Sequence, residues 1–331
     1  MELKNRESIY LSIILPVYNA EKFIEKCIKS CLNIDNSNIE IIIVNDGSTD
    51  NTLSIISKFK DCRIRVYSKQ NEGAMIAWKY GLNRANGEYI TFIDADDYFS
   101  NDALETIIAI LKKYNPEVLQ FGCNYVNENY LVMGTRDFYL MDGFYSSQNL
   151  DNARNKLLPH TGFSGTRWGK CFKTELIKNY ICDINVVDFE DYALTFPILS
   201  VAKSLYILSK PLYNYVQNQS SVTHNINNLY RAYDDIDIVI NYFKSIQNNM
   251  NITSEDLARM YVYFYYFLLT RSIKNNCFDL SRKIIKSNLS NINILENNRI
   301  KIFLIEHRYA NTFIFLTKII ELIRSNKHGK Y

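Results

Sequence analysis

Asn86-Gly-Glu-Tyr-Ile-Thr-Phe-Ile-Asp-Ala-Asp-Asp97 is the stretch on which the fold turns. Tyr89 to Ile93 is aromatic and β-branched and follows Asn-Gly, the pattern of a buried strand entered from a turn. The strand runs straight into three carboxylates. Side chains alternate across a strand, so Asp94 and Asp96 emerge on one side, roughly 6–7 Å apart along the backbone, and Asp97 on the other. Two carboxylates converging at a strand end repel unless a cation lies between them. Hard oxygen ligands suit Mn²⁺ or Mg²⁺, with a substrate diphosphate completing the shell. The plainer reading is a turn, because Asp favours strand exits and the helix predicted over 103–113 needs a cap. Asp102 or Asn101 offers that cap, which leaves Asp94 and Asp96 to chemistry.

Outward from this stretch, toward the amino terminus, strands and helices alternate. Leu11 to Asn19 is an apolar run stopped by Pro16, and Phe23, Ile24, Cys27, Ile28 and Cys31 recur at helical spacing over 20–32. A second strand over 39–44 is near-continuously apolar, as expected when both faces are covered. It ends in Asn45-Asp-Gly-Ser-Thr-Asp50, a cluster of turn and cap formers, before a helix predicted over 51–59. A third strand over 63–68 and a helix over 73–83 complete the series. This alternation specifies an α/β domain with a Rossmann-like, mostly parallel sheet flanked by helices. Ligands of such sheets bind beyond the carboxyl ends of the strands. Pro16 to Asn19, Asn45 to Asp50 and Asp94 to Asp97 all lie there, so three polar clusters make one site.

Composition bounds the class. With 331 residues the chain is long enough for two domains, and its 47% apolar share is ample for a core. The net charge of +3 is too slight to point to a nucleic-acid partner. Seven scattered cysteines without a CxxC pair, and a polar start from Met1 to Glu7, indicate a reducing cytoplasm and no signal peptide. No apolar run reaches the length needed to cross a bilayer.

Ser12-Ile-Ile-Leu-Pro-Val-Tyr-Asn19, Val44-Asn-Asp-Gly-Ser-Thr-Asp50, Asn71-Glu-Gly73 and Phe92-Ile-Asp-Ala-Asp-Asp97 resemble, in order and spacing, the successive signatures of family 2 glycosyltransferases of the GT-A fold. The resemblance implies a nucleotide-sugar donor, usually UDP-linked, and a divalent cation. It places Pro16, Val17, Tyr18 and Asp46 where the base is held. Asp94 matches the ribose and metal-site carboxylate, Ala95 lies inside the same donor-binding motif, and Asp96 matches the direct metal ligand. The chemistry agrees: Asp46 can accept the imide N–H of uracil, while Ser48 or Asp50 serves equally as the helix cap. The chain departs from the family at Trp78 and Val216, where Arg is common; Lys79 has two readings, a substitute phosphate contact or part of a solvated helix face.

The middle of the chain is looser, with possible strands over 117–121 and 138–144. His160 to Lys173 gathers glycines, aromatics and cations in one loop, and its Trp168 has two readings: a stacking platform for an acceptor sugar, or an anchor in the core. Trp168-Gly-Lys-Cys-Phe-Lys173 again resembles the family. So does Glu190-Asp191, whose Asp is the family's catalytic base; acidic residues in a first helical turn also complement the dipole. Pro211 to His224 resembles the closing motif of the catalytic domain, with His224 a candidate metal ligand or a surface-loop histidine. Helices follow from Asn228. Over 300–325 an apolar stripe is rimmed by Arg and Lys, which suits an anionic membrane surface or packing on protein.

These signals define a catalytic domain over 1–226, its nucleotide-sugar half about 8–114 and its acceptor half about 115–226, and a helical region over 227–331. The expected activity is metal-dependent, inverting transfer of one sugar from a UDP-sugar to a glycan or lipid-linked acceptor in surface polysaccharide synthesis. The chain lacks the Gln-x-x-Arg-Trp motif of processive members. The expected location is cytoplasmic, peripheral at the inner face of the cell membrane. Two alternatives stand: a nucleotidyltransferase, which would carry a Gly-rich basic loop after its first strand, and a non-catalytic carbohydrate-binding scaffold.

Overall fold

The computed structural model describes residues 9–136, 140–146, 149–150, 165–217 and 226–288. The chain forms two compact units, Met1–Thr253 and Ser254–Tyr331. In the first, β1 (Leu11–Val17), β2 (Ile39–Asp46), β3 (Ile64–Lys69) and β4 (Tyr89–Phe92) alternate with α1 (Ile24–Leu32), α2 (Thr52–Ile56) and α3 (Ala74–Leu82). The strands lie side by side in the order β3-β2-β1-β4, all parallel. Strand order reverses across β1, which opens a crevice at the carboxyl ends of β1 and β4.

Every residue of β1, β2 and β4 is buried, which is why these strands read as near-continuous apolar runs. Leu11, Ile13, Leu15, Ile41 and Ile43 share one cluster with Ile24, Cys27, Ile28 and Cys31 of α1. Each isoleucine there contributes about 1.5–3 kcal/mol relative to an exposed one. Ile14, Ile42 and Val44 face α3 on the other side. Contact there is so close that a Cβ on Gly81 would stand 2.7 Å from Ile14 Cγ2.

The remainder of this unit comprises β5 (Tyr98–Phe99), α4 (Ala103–Tyr114), β6 (Val118–Val126), β7 (Val132–Thr135), β8 (Gly143–Ser146), β9 (Lys170–Lys173), α5 (Thr174–Asn179), α6 (Glu190–Val201), β10 (Ser204–Val216) and α7 (Ile226–Ile246). α4 stops at Asn115, whose φ of 46° is left-handed, just before Pro116. β9 pairs antiparallel with both β4 and β6, so β6 and its parallel partner β10 end at the same sheet edge as β4. β5 and β8 join β10 and β7 joins β6, all antiparallel.

Two expectations shift. Asp102 stands at the N-cap position just before α4 without capping it and pairs instead with Lys210, so the helix lacks the predicted side-chain cap. The compact units part at 253/254, with α7 in the unit that holds the sheet. The strand expected over 138–144 is β8, which begins only at Gly143; residues 137–139 lie outside the described residues. The second unit contains α8 (Ser254–Lys274) and α9 (Phe278–Asn288), and Ser272 of α8 and Ser281 of α9 hydrogen-bond through their hydroxyls at 2.7 Å. His224 and the stripe over 300–325 lie outside the described residues. No helix among the described residues is long and apolar enough to cross a membrane.

Candidate functional site

The loops after β1 and β2 are laced together by their own polar side chains. Asn19 Oδ1 accepts from the Thr49 amide at 2.8 Å, Ser48 Oγ from the Asn19 amide at 3.0 Å, and Thr52 Oγ1 from the Ala20 amide at 2.8 Å. Asp50 accepts from the amides of Glu21 and Thr52, at 3.1 and 3.0 Å. Pro16 and Val17 are buried in β1, whereas the Tyr18 side chain stands 51% exposed at the strand's end. Asp46 is buried at the end of β2. Its carboxylate receives Lys69 Nζ at 2.7 Å and the amides of Glu72 and Gly73 at 3.1 and 2.8 Å. It therefore clamps the Asn71-Glu-Gly73 segment against the sheet, a role its sequence motif did not announce.

The acidic stretch after β4 forms a turn closed by the Asp97 amide donating to the Asp94 carbonyl at 3.1 Å. Its three carboxylates part ways. Asp97 is buried and accepts from the Tyr213 hydroxyl at 2.6 Å and the Val216 amide at 2.8 Å, which straps the turn to β10. Tyr213 also accepts the Asp94 amide at 3.2 Å. Burial pushes the Asp97 carboxyl above its usual range. Asp94 and Asp96 remain partly exposed with Ala95 between them.

Arg167, buried at 5% exposure, joins this turn to the other half of the molecule. One Nη donates to Asp94 Oδ1 in an ion pair. The other lies 2.6 Å from Asp191 Oδ1 and 3.5 Å from Glu190 Oε1. The family-implied metal-site carboxylate and the family-implied base pair thus meet on a single guanidinium. Burial works against the Arg167 charge, yet the carboxylates of Asp191, Asp94 and Glu190 outweigh it and hold its pKa above the ordinary value. Burial pushes Asp94 up to about 6, against the opposing pull of Arg167. Burial and the neighbouring Asp191 charge push the Glu190 carboxyl up as well.

Both partners of this contact are fixed from behind. Before α6, Phe189 adopts a left-handed φ of 64°, and the amides of Val187 and Asp188 donate to Asp235 of α7 at 2.8 and 3.0 Å. Across from it, Gly165 lies under the Tyr192 ring so closely that a Cβ would fall 2.0 Å from Tyr192 Cε1. The Gly165 carbonyl accepts from Thr195 Oγ1 at 2.9 Å. Trp168, 8% exposed, stacks on Tyr213 and Tyr215 with ring centroids 4.8 and 5.3 Å away. Of its two readings the structure selects the anchor in the core. Lys79, beside the fully buried Trp78, donates to the Ile184 carbonyl at 2.8 Å. Sequence reasoning missed Arg167 and Asp235. The signal available for Arg167 was only its place inside the Gly- and Trp-containing loop; for Asp235, nothing in a helical stripe marked it.

Asp94 and Asp96 offer hard oxygen donors, and among the described residues no group of three or more His, Cys, Asp or Glu is arranged to hold a metal ion. Such an incomplete carboxylate set fits Mg²⁺ or Mn²⁺, which is commonly held by one or two carboxylates with substrate phosphates and water.

Comparison with known proteins matches residues 12–174 to the model for glycosyl transferase family 2. EpsJ of Bacillus subtilis, an uncharacterized glycosyltransferase, is 31% identical over 221 residues, covering 64% of this chain and 62% of its own. A cholesterol galactosyltransferase of Borreliella burgdorferi is 27% identical over 286 residues, covering 83% and 78%. This chain spans 31%, 48% and 62% of the lengths of three curated relatives, among them GlyA of Streptococcus pneumoniae at 31%. The fold is also that of S. aureus TarS 1-349 solved with UDP, at TM-score 0.59 and 21% identity over 80% of this chain and 73% of that one. The mannosyltransferase PcManGT of Pyrobaculum calidifontis, solved with GDP-Man and Mn²⁺, superposes at TM-score 0.52 with 14% identity over 98% and 89%. With the strand-end motifs, the sheet that carries them and the family match in agreement, residues 12–174 of this chain belong to glycosyl transferase family 2.

Proposed function

We propose that the protein transfers a single sugar, with inversion, from a UDP-sugar to a hydroxyl of a glycan or lipid-linked acceptor. One observation carries this reading: Asp94, after β4, and Glu190-Asp191, at the start of α6, are brought from distant parts of the chain to one guanidinium at the carboxyl edge of the sheet. Relatives add support. TarS was solved with UDP and with UDP-GlcNAc, and the B. burgdorferi relative is named for galactosyl transfer to cholesterol.

On this reading Tyr18 lies along the nucleotide base, and Asp46 holds the loop that closes over it and offers its carboxylate toward the imide N–H. Asp94 and Asp96 would hold the divalent cation, Mn²⁺ or Mg²⁺, which when bound neutralises charge on the donor diphosphate. Asp191 accepts the proton of the acceptor hydroxyl. The acceptor oxygen then bonds to the anomeric carbon as that carbon's bond to phosphate breaks, its electron pair leaving with UDP. Attack from the face opposite the leaving group turns an α-linked donor into a β-linked product. The basic-rimmed stripe over 300–325 would keep the enzyme at an anionic membrane surface, beside lipid-linked acceptors.

UDP release across a panel of UDP-sugars, with wild type and Asp191→Asn side by side, tests the reading. One donor should give acceptor-dependent release, and the variant should lose about 10²–10⁴ in turnover while still binding that donor. Donor consumption that ignores the acceptor, or a product that keeps the donor's anomeric configuration, would overturn it.

A further inference from the structure

We propose that Arg167 is the positioning residue of the acceptor base: its guanidinium fixes Asp191 relative to Asp94, and so sets the base against the donor side of the site. The inference rests on the reading of Asp191 as the base. Nη1 holds Asp191 Oδ1 at 2.6 Å and Nη2 holds Asp94, so one planar fork spans two carboxylates that come from β4 and α6. A guanidinium keeps such a double geometry, whereas an ammonium is a point charge on a flexible stem.

The fork has little freedom to wander. The backbone behind it is fixed by Gly165 under the Tyr192 ring and by Trp168 on its two tyrosines. On the far side of Trp168, the Phe121 amide donates to the Gly169 carbonyl at 2.9 Å. Opposite, Asp235 fixes the turn that leads into Glu190-Asp191.

Stability alone gives a poor account of the arrangement. Buried ion pairs are often replaced by apolar residues without loss, because desolvation offsets their attraction. Here one cation also meets three carboxylates, and its Nε is buried with no acceptor among the described residues. A group retained for packing would have its donors satisfied. What the geometry does achieve is a fixed relation between two acidic groups that would otherwise repel.

A double-mutant cycle tests this. Arg167→Gln should lower kcat about 10- to 100-fold, the usual cost of losing a residue that orients an active-site group. The acceptor KM should stay nearly unchanged, because the acceptor pocket is not what Arg167 holds. In an Asp191→Asn background the same substitution should cost much less, since the base it positions is already disabled and only its hold on Asp94 remains to be lost. Arg167→Lys serves where the Gln variant melts early: it keeps the charge but not the fork, and should show the same loss and the same non-additivity. Full additivity in the cycle, or wild-type kcat in Arg167→Lys, would overturn the inference. A different result, Asp191→Asn retaining wild-type turnover, would instead remove the base assignment beneath it, so the two failures are distinct.

Discussion

The two halves of the sheet unit reach the site in opposite ways. In the nucleotide half, through α4, each strand delivers its own polar cluster to the edge, and neighbouring clusters bind one another: Asn19 with Thr49, Asp50 with Glu21, Asp46 with Gly73. Every contact is between loops that follow adjacent parallel strands. In the other half, β9, α6 and β10 bring residues that are remote in sequence. Arg167 reaches back to Asp94, Tyr213 reaches back to Asp97, and Asp235 reaches back to Val187. The first half is a scaffold built from neighbouring loops; the second is assembled by a few long-range junctions. Damage to the first should therefore abolish binding, and damage to the second should misplace groups that still bind.

Asp96→Ala gives the contrast its sharpest form. It removes a carboxylate from a partly exposed turn, so turnover and Mn²⁺-dependent UDP binding should vanish while the melting temperature holds. Activity persisting in this variant, or in wild type with excess EDTA, would deny the donor half its cation site. Tyr213→Phe probes the other side. It strips a buried donor from Asp97, at a cost of about 1–3 kcal/mol, measurable as a lower urea midpoint at unchanged m-value. No loss of stability would mean that the strap from β10 does not hold the acidic turn. The smallest effect concerns pH. Asp94 is pushed up to about 6, so it is a carboxylate above that pH and a carboxylic acid below it. Mn²⁺ must displace the proton in the acid form. Its affinity should be flat above pH 6 and fall about tenfold per unit below it, following the protonated fraction of a single group. Titration calorimetry at pH 5, 6 and 7 would show this, and an affinity independent of pH would place the cation away from Asp94.

The parallel strands, the helices between them and the strand-end clusters were legible in the chain. Short, near-continuous apolar runs bounded by turn formers fit strands covered on both faces, and such strands place their ends together. Asp94 and Asp96 stood out as carboxylates at a strand exit, and Glu190-Asp191 stood out through its resemblance to the family's acidic pair. Arg167 was not. An arginine between Thr166 and Trp168 has the look of a surface loop, and only the folding of α6 against residues 165–169 turns it inward. Asp235 sits in a helical stripe whose sequence says nothing of the two amides it will meet. Trp168 was ambiguous for the same reason: its environment consists of Tyr213 and Tyr215, more than forty residues away. Sequence thus determined the elements and the acidic groups, since both are written in local period and composition. Tertiary structure decided which acid is strapped into the core, which faces the crevice and which cation joins the two halves. Those choices depend on long-range contacts that exist only once the sheet has brought its distant segments to one edge.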